Sequence, residues 1–394
     1  MLTGKVKFLR CVTIVGCFVS AVFFQLCGMS AEANSKLVYI GTYTGKKSKG
    51  IYSARFDSDT GKLSAPELAA ETKNPSFLAL HPNGRVLYAV GEIDDFQGMK
   101  TGAVSAFSID GQSGKLSLLN QKPSGGGGPC HLCIDKTGKC MLVANYGSGH
   151  FAALPVEDDG KLGAPREIIR FNGSSINRER QSGPHAHFVN FDPWNKFALG
   201  CDLGLDKVCV WKIEQGGTNG GKLILKYPAL IKPGSGPRHL AFHPSEPFVY
   251  LINEMAATIT VFAYDWDTPA LRELQTISML PEKFEGFKSG AEIQVHPLGK
   301  FVYGSNRGHN SIAVFSVDGK SGKLTLVQHQ GTQGKTPRHF AIDPSGKWLL
   351  AENQDSDNIV IFRIDQETGK LSATGEKVEV GSPVCIQFVS ESAR

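Results

Sequence analysis

Histidine, arginine, glutamate and amide residues recur in this 394-residue sequence where a repeated segment opens or closes. The openings carry Cys130, His131, His185, His187, Arg238, His239, Glu292, Arg338 and His339. The closures carry Asn145, Tyr146, Asp202, Asn253, Glu254, Asn306, Arg307, Asn353 and Gln354. An imidazole exchanges protons near neutral pH because its unperturbed pKa is about 6.5. A guanidinium stays charged and grips oxyanions through a fixed fork of donors. Brought together, these groups would suit acid–base chemistry on a substrate that carries or develops negative charge. Arg and His are poor choices for a buried turn without a partner, which favours a functional reading over simple loop chemistry. No serine stands in a G-x-S-x-G elbow, so the nucleophile of that motif is missing. The carboxylates are interleaved with Arg238, Arg307 and Arg338, whose charge disfavours a bound cation, and no metal is expected.

Three recurring columns set the elements that must position these residues. The first is a short strand opened by Pro and closed at a turn: N-P-S-F-L-A-L-H-P from Asn74, G-P-C-H-L-C-I-D from Gly128, G-P-H-A-H-F-V-N-F-D-P from Gly183, G-P-R-H-L-A-F-H-P from Gly236, G-A-E-I-Q-V-H-P from Gly290 and T-P-R-H-F-A-I-D-P from Thr336. Its turn residues, His81, Asp135, Asp192, His243, His296 and Asp343, follow one another at intervals of 47 to 57 residues. The second column is an apolar strand closing on a polar residue, as in L-V-A-N-Y to Tyr146 or V-Y-L-I-N-E to Glu254. The third is G-K-L, with one more alternating strand before it. Four short strands per unit of about 50 residues, repeated seven times, predict an all-β, seven-bladed β-propeller with four antiparallel strands per blade. The period of two excludes helical solenoids. The closing blade is shared: its first strand is Val384 to Val389, and the other three come from Lys36 to about Lys73, which leaves no free sheet edge. In such a blade the start of strand one and the end of strand two share a face, so the polar residues converge on a concave pocket around one axis. The H-P-N-G and D-P-S-G turns fall on the opposite face, where His81, His243 and His296 read as turn chemistry. Gly125 to Gly128 read as a flexible loop on the pocket face.

Hydrophobic residues make up 41% of the chain and charged ones 20%, enough apolar material for a large core. The net charge is only +5, and no cluster of five or six like charges occurs; nucleic acid and anionic membranes are not expected partners. Lys5, Lys7 and Arg10 precede an apolar stretch over residues 11 to 28, and Ala31-Glu32-Ala33 offers a cleavage site. This is the anatomy of a secretory signal over residues 1–33, ahead of a single domain at 34–394, so an exported, monomeric protein free of the membrane is expected. An uncleaved anchor and a lipidation box at Cys17 are the competing readings. Six cysteines remain beyond the leader; Cys130-x-x-Cys133 lacks a second Cys or His pair at zinc spacing and falls within a strand.

With these segments in view the chain resembles the propeller-type 6-phosphogluconolactonases, which are similar to the carboxymuconate lactonizing enzymes. The matching segments include L-V-A-N-Y-G-S-G at 142–149, G-P-H-A-H at 183–187, D-L-G-L-D-K-V at 202–208, G-P-R-H-L-A-F-H-P at 236–244, S-N-R-G-H-N-S-I-A-V-F at 305–315 and the run from Pro337 to Ile359. The resemblance implies a lactonase without a cofactor and points to His185, His187, Arg238, Glu254 and Arg307 as catalytic. Asn145, Tyr146, His239, Glu292, Asn306, Arg338 and Gln354 are expected around the substrate. In the expected reaction His185 or His187 activates a water that attacks a lactone carbonyl, while Arg238 and Arg307 hold the oxyanion. A cycloisomerase that forms a lactone and a non-catalytic disc that binds protein or glycan are the alternatives.

Overall fold

The computed structural model describes residues 1–4, 35–214 and 222–389. The expected leader, but for its first four residues, lies outside the described residues. Apart from a 3-10 turn at Gln354–Ser356, the regular structure described is all strand.

Each repeat folds as an antiparallel sheet whose strands are neighbours in space in their order along the chain. The fourth blade, Pro237–Phe242, Phe248–Asn253, Thr258–Tyr264 and Leu271–Ser278, is representative. Burial explains the sequence pattern strand by strand. Second strands such as Phe248–Asn253 and Trp348–Asn353 are buried on both faces, hence their nearly continuous apolar runs. Outermost strands such as Leu371–Glu379 are largely exposed and polar. The apolar core is divided into layers between adjacent blades: Tyr250, Ile252, Ile259 and Val261 of the fourth blade pack on Ile293, Val302, Ala313 and Phe315 of the fifth.

The ring closes as the repeat predicts. Pro383–Phe388 pairs with Ser35–Thr42, with Val38 opposite Phe388 and Ile40 opposite Ile386, and Gly50–Asp57 continues that sheet outward. Closure leaves neither chain end as an open inner edge.

The H-P and D-P turns latch neighbouring blades. His81, His243 and His296 reach the carbonyls of Gly138, Gly299 and Gly346 in the next blade, at 3.2, 3.0 and 2.9 Å. Gly299 and Gly346 both sit at φ +74°, and a Cβ at Gly299 would come within 2.4 Å of the His243 ring. Only glycine fits that pairing of left-handed backbone and close approach.

Register on the opposite face corrects one detail of the sequence alignment. Pro237 stands opposite Asn253 and Pro337 opposite Asn353, but in the third blade Ala186 stands opposite Asp202. Gly183-Pro184 therefore does not take the place of Gly236-Pro237. The inner strand begins two residues later, and His187, not His185, occupies the position of Arg238 and Arg338. A slip of two preserves the alternation of faces, so the motif alone does not reveal it.

Candidate active site

The inner strands run from the pocket face toward the opposite face, and their side chains form successive levels around the axis. The upper level includes Ser76, Cys130, His187, Arg238 and Arg338, the first inward-facing position of five blades. Above it lie residues just past the second strands: Glu92, Tyr146, Glu254 and Arg307. Together these levels enclose a cavity of about 160 Å³ lined by Glu92, Cys130, Tyr146, Arg180, His187, Glu254, Arg307 and Arg338.

Glu254 is the hub. Its Oε2 lies 2.8 Å from Nη2 of Arg307 and 3.2 Å from Nε of Arg238, and its Oε1 lies 2.6 Å from Nη2 of Arg180. Burial alone would raise its pKa, but Arg307, Arg238, His187 and Arg180 overcome that and hold the carboxyl well below the usual range. Glu254 is thus a fixed anion and a poor base. Its role is to aim three guanidiniums, each of which would otherwise be costly to bury or crowd. Arg238 also donates from Nη1 to the carbonyl of Ala291 at 2.7 Å. Burial and the neighbouring Arg307 and Arg338 bring its pKa down to about 10, still charged at neutral pH.

Arg338 differs from the other three arginines. It lies over the Tyr43 ring, 5.2 Å from the centroid, and has no ion pair among the described residues. The Tyr43 hydroxyl donates to Glu92 at 2.7 Å, and the Ser76 hydroxyl donates to the same carboxylate. A guanidinium that lines the cavity without a carboxylate partner is placed to receive an anionic group.

The histidines separate. His187 lines the cavity and is almost fully buried. Burial, reinforced by Arg238, pushes its pKa well below 6.5, so it is neutral at physiological pH and free to take a proton. His185 lies in the loop before the strand, stacked on Tyr146 at 4.5 Å with Nδ1 3.0 Å from the Tyr146 carbonyl. It supports the Tyr146 segment and is not among the cavity-lining residues. The Cys130 thiol donates to the His187 carbonyl at 3.3 Å, and burial raises its pKa far above 9. It remains a thiol, which removes it as a nucleophile.

Several expected substrate contacts lie elsewhere. Asn145 donates its amide to the carbonyls of Ser124 and His150, and Asn306 to the Met279 carbonyl; both amides tie down the connection that arrives from the preceding blade. The Gln354 amide donates to Asp355 at 3.2 Å. His239 and Glu292 occupy the next level down the axis, beneath the cavity. In the run Gly125–Gly128, the Gly127 amide donates to Ser148 and the Gly128 amide to the Ile93 carbonyl, so these donors are spent on neighbouring loops.

Repeat-based reasoning missed Arg180 and Glu92. Arg180 sits in a loop between blades that has no counterpart in the other repeats, so no column could reveal it. Glu92 closes a second-column strand as Glu254 does, and that shared position was the available signal.

Residues 37–388 match the family model described as "Lactonase, 7-bladed beta-propeller". The chain is 38% identical over 353 residues to a 6-phosphogluconolactonase of Bacillus subtilis, covering 90% of this chain and 98% of that protein. It is 37% identical over 308 residues to a 6-phosphogluconolactonase of Formosa agariphila, covering 77% of this chain and 86% of that protein. Among solved structures, a periplasmic gluconolactonase of Pseudomonas aeruginosa superimposes with a TM-score of 0.84 at 32% identity, covering 90% of this chain and 99% of that one.

Proposed function

The chain belongs to the seven-bladed β-propeller lactonases, and from that premise we propose that it hydrolyses a sugar δ-lactone with the ring of 6-phosphogluconolactone, phosphorylated or not, in the cavity around Glu254. Its activity is that of a carboxylic-ester hydrolase acting on a sugar lactone. The observation that carries the mechanism is the convergence of a neutral imidazole, His187, with the guanidiniums of Arg307 and Arg338 on one small cavity.

In the proposed reaction, His187 takes a proton from water as the water oxygen bonds to the lactone carbonyl carbon. The carbonyl oxygen becomes an oxyanion facing guanidiniums that Glu254 already holds in place, so little reorganisation is needed. The imidazolium formed on His187 gains from the nearby Glu254 carboxylate. Collapse of the tetrahedral species breaks the ring C–O bond, and the imidazolium returns its proton to the ring oxygen. The carboxylic acid produced then ionises, with Arg338 available to the new carboxylate. No covalent enzyme intermediate is required.

The leader read from the sequence implies export, and a phosphorylated sugar lactone belongs to the cytoplasm. The Pseudomonas relative named as a periplasmic gluconolactonase supports export, and with it an unphosphorylated gluconolactone as the natural substrate. Titration at constant pH of the purified protein, dialysed against a chelator, tests this on 6-phosphogluconolactone, glucono-δ-lactone and simple uncharged lactones. Fastest turnover of glucono-δ-lactone is expected. Preference for the phosphorylated lactone would count against the unphosphorylated substrate, and no turnover of any lactone would leave a binding disc.

A further inference from the structure

Beneath the cavity the axis carries titratable groups that this chemistry does not use. His131, His239, Glu292 and His339 form the next level, each nine-tenths or more buried. His239 Nδ1 lies 2.9 Å from Oε2 of Glu292, and His339 Nε2 lies 3.7 Å from the same oxygen. On its other side His339 Nδ1 meets Glu352 at 3.2 Å. Nε2 of His239 and Nδ1 of His131 have no hydrogen-bond partner among the described residues. Phe77 and Phe188 fill the equivalent positions in two other blades, so apolar rings fit this level. A buried ionisable layer is a costly filling where hydrophobic side chains would serve.

Cavities connect this layer to both faces. A void of about 10 Å³, room for about one water, is lined by Glu92, Cys130, Arg238, Arg338, His239 and His339 among others. It shares Glu92, Cys130 and Arg338 with the catalytic cavity above. It shares Phe77, His239 and His339 with a cavity of about 680 Å³ that lies at the other end of the inner strands and that Glu292 also lines. Packed rings, His131 against Phe77 at 4.0 Å and against Phe188 at 4.3 Å, narrow the axis between the two.

We propose that His239 and Glu292, with His339 beside them, form a proton outlet that carries the proton released by hydrolysis from the catalytic cavity to the opposite face of the propeller. The inference rests on the hydrolytic reading of the cavity. Opening a lactone consumes one water and, once the acid ionises, releases one proton per turnover. The product acid gives that proton to His187, neutral again after collapse, and from there it reaches Nε2 of His239, whose ring packs edge to face against that of His187 with centroids 5.1 Å apart. As the Nε2–H bond forms, the Nδ1–H bond breaks and its proton passes to Oε2 of Glu292. From Glu292 it leaves to solvent in the far cavity, and the imidazole resets by exchanging its tautomer. The groups facing this pair from the neighbouring blades are Arg238, His131, His187, His339 and Glu352. Burial, partly offset by His339 and Arg238, sets Glu292 at about 6, where it can both accept and release a proton near neutral pH.

The test compares Glu292→Gln with wild type and with Arg307→Ala, using lactone turnover in dilute non-transferring buffer and again with added imidazole. The glutamine variant should keep its KM and melting curve but lose at least about ten-fold in kcat in dilute buffer, and imidazole should restore it; wild-type kcat should not depend on imidazole. An Arg307→Ala variant at the wild-type rate would remove the hydrolytic reading itself. Loss of rate in Arg307→Ala, with Glu292→Gln matching wild type in both buffers, would overturn the outlet alone. Should Glu292→Gln fail to fold, ¹⁵N-histidine NMR of the wild type decides: His239 must be neutral at pH 7 with its proton on Nδ1, and a proton on Nε2 instead overturns the proposal.

Discussion

Arg307, at the mouth of the fifth blade, reaches across to place Nη2 2.8 Å from Oε2 of Glu254 in the fourth. The contact joins two strand closures that the repeat places side by side, and it fixes the guanidinium before any ligand arrives. Fixed donors are worth more to a developing oxyanion than mobile ones, because they need no rearrangement during reaction. The carboxylate that fixes them is too well stabilised to act as the base, which leaves that role to His187.

The pH profile follows from this division. His187 works as the neutral imidazole, and burial with Arg238 holds its pKa well below 6.5. Activity is present above that pKa and lost as pH falls through it. The rate at saturating lactone should therefore be flat from about pH 6.5 to 8 and decline only in more acidic solution. A base limb centred at or above pH 6.5 that disappears in His187→Gln would contradict the assigned environment.

His296 provides the control far from the cavity. Its ring links the fifth blade to the Gly346 carbonyl at 2.9 Å, and its Nδ1 accepts from the Leu298 amide. Changing His296 to Ala leaves that carbonyl without its partner at a buried turn, and should cost about 1–3 kcal/mol of stability. Denaturant melts should show the loss, while kcat at 25 °C stays at the wild-type value. A large loss of turnover in a folded His296→Ala protein would mean that chemistry takes place on the other face.

Ring closure is testable by truncation. Removing residues 385–394 deletes Cys385–Phe388 from the innermost strand of the shared blade, and with it the partner of Ile40 and Val38. Ser35–Thr42 would become an open edge, and the layer built from Val38, Ile40, Trp348 and Leu350 would lose Ile386. The truncated chain should show no cooperative thermal transition by circular dichroism. A melting curve like that of the full chain would refute closure by the two ends.

The fold was legible because its geometry repeats: a Pro-led inner strand, a doubly buried second strand and a Gly-containing turn recur whenever a blade recurs. The facing of Arg238, Glu254, Arg307 and Arg338 followed from the same columns. Depth along the axis did not follow, since alternation says which side a residue faces but not how far down it lies; His239 and Glu292 therefore looked like substrate contacts. The two-residue slip at Pro184 hid which of His185 and His187 enters the cavity. Asn145 and Asn306 looked like ligands because an amide that ties a loop and one that binds a substrate read alike in sequence. Arg180 was invisible for a different reason, since its loop belongs to no repeat.

The most direct measurement is proton release at constant pH by wild type, Arg307→Ala and His187→Gln on the lactone the wild type opens fastest, with melting curves to show that the variants are folded. Arg307→Ala should lose on the order of 100-fold in kcat, as removal of one oxyanion donor typically does, and His187→Gln should lose about as much or more. Folded variants that both release protons at the wild-type rate would show that this cavity is not where the lactone is opened.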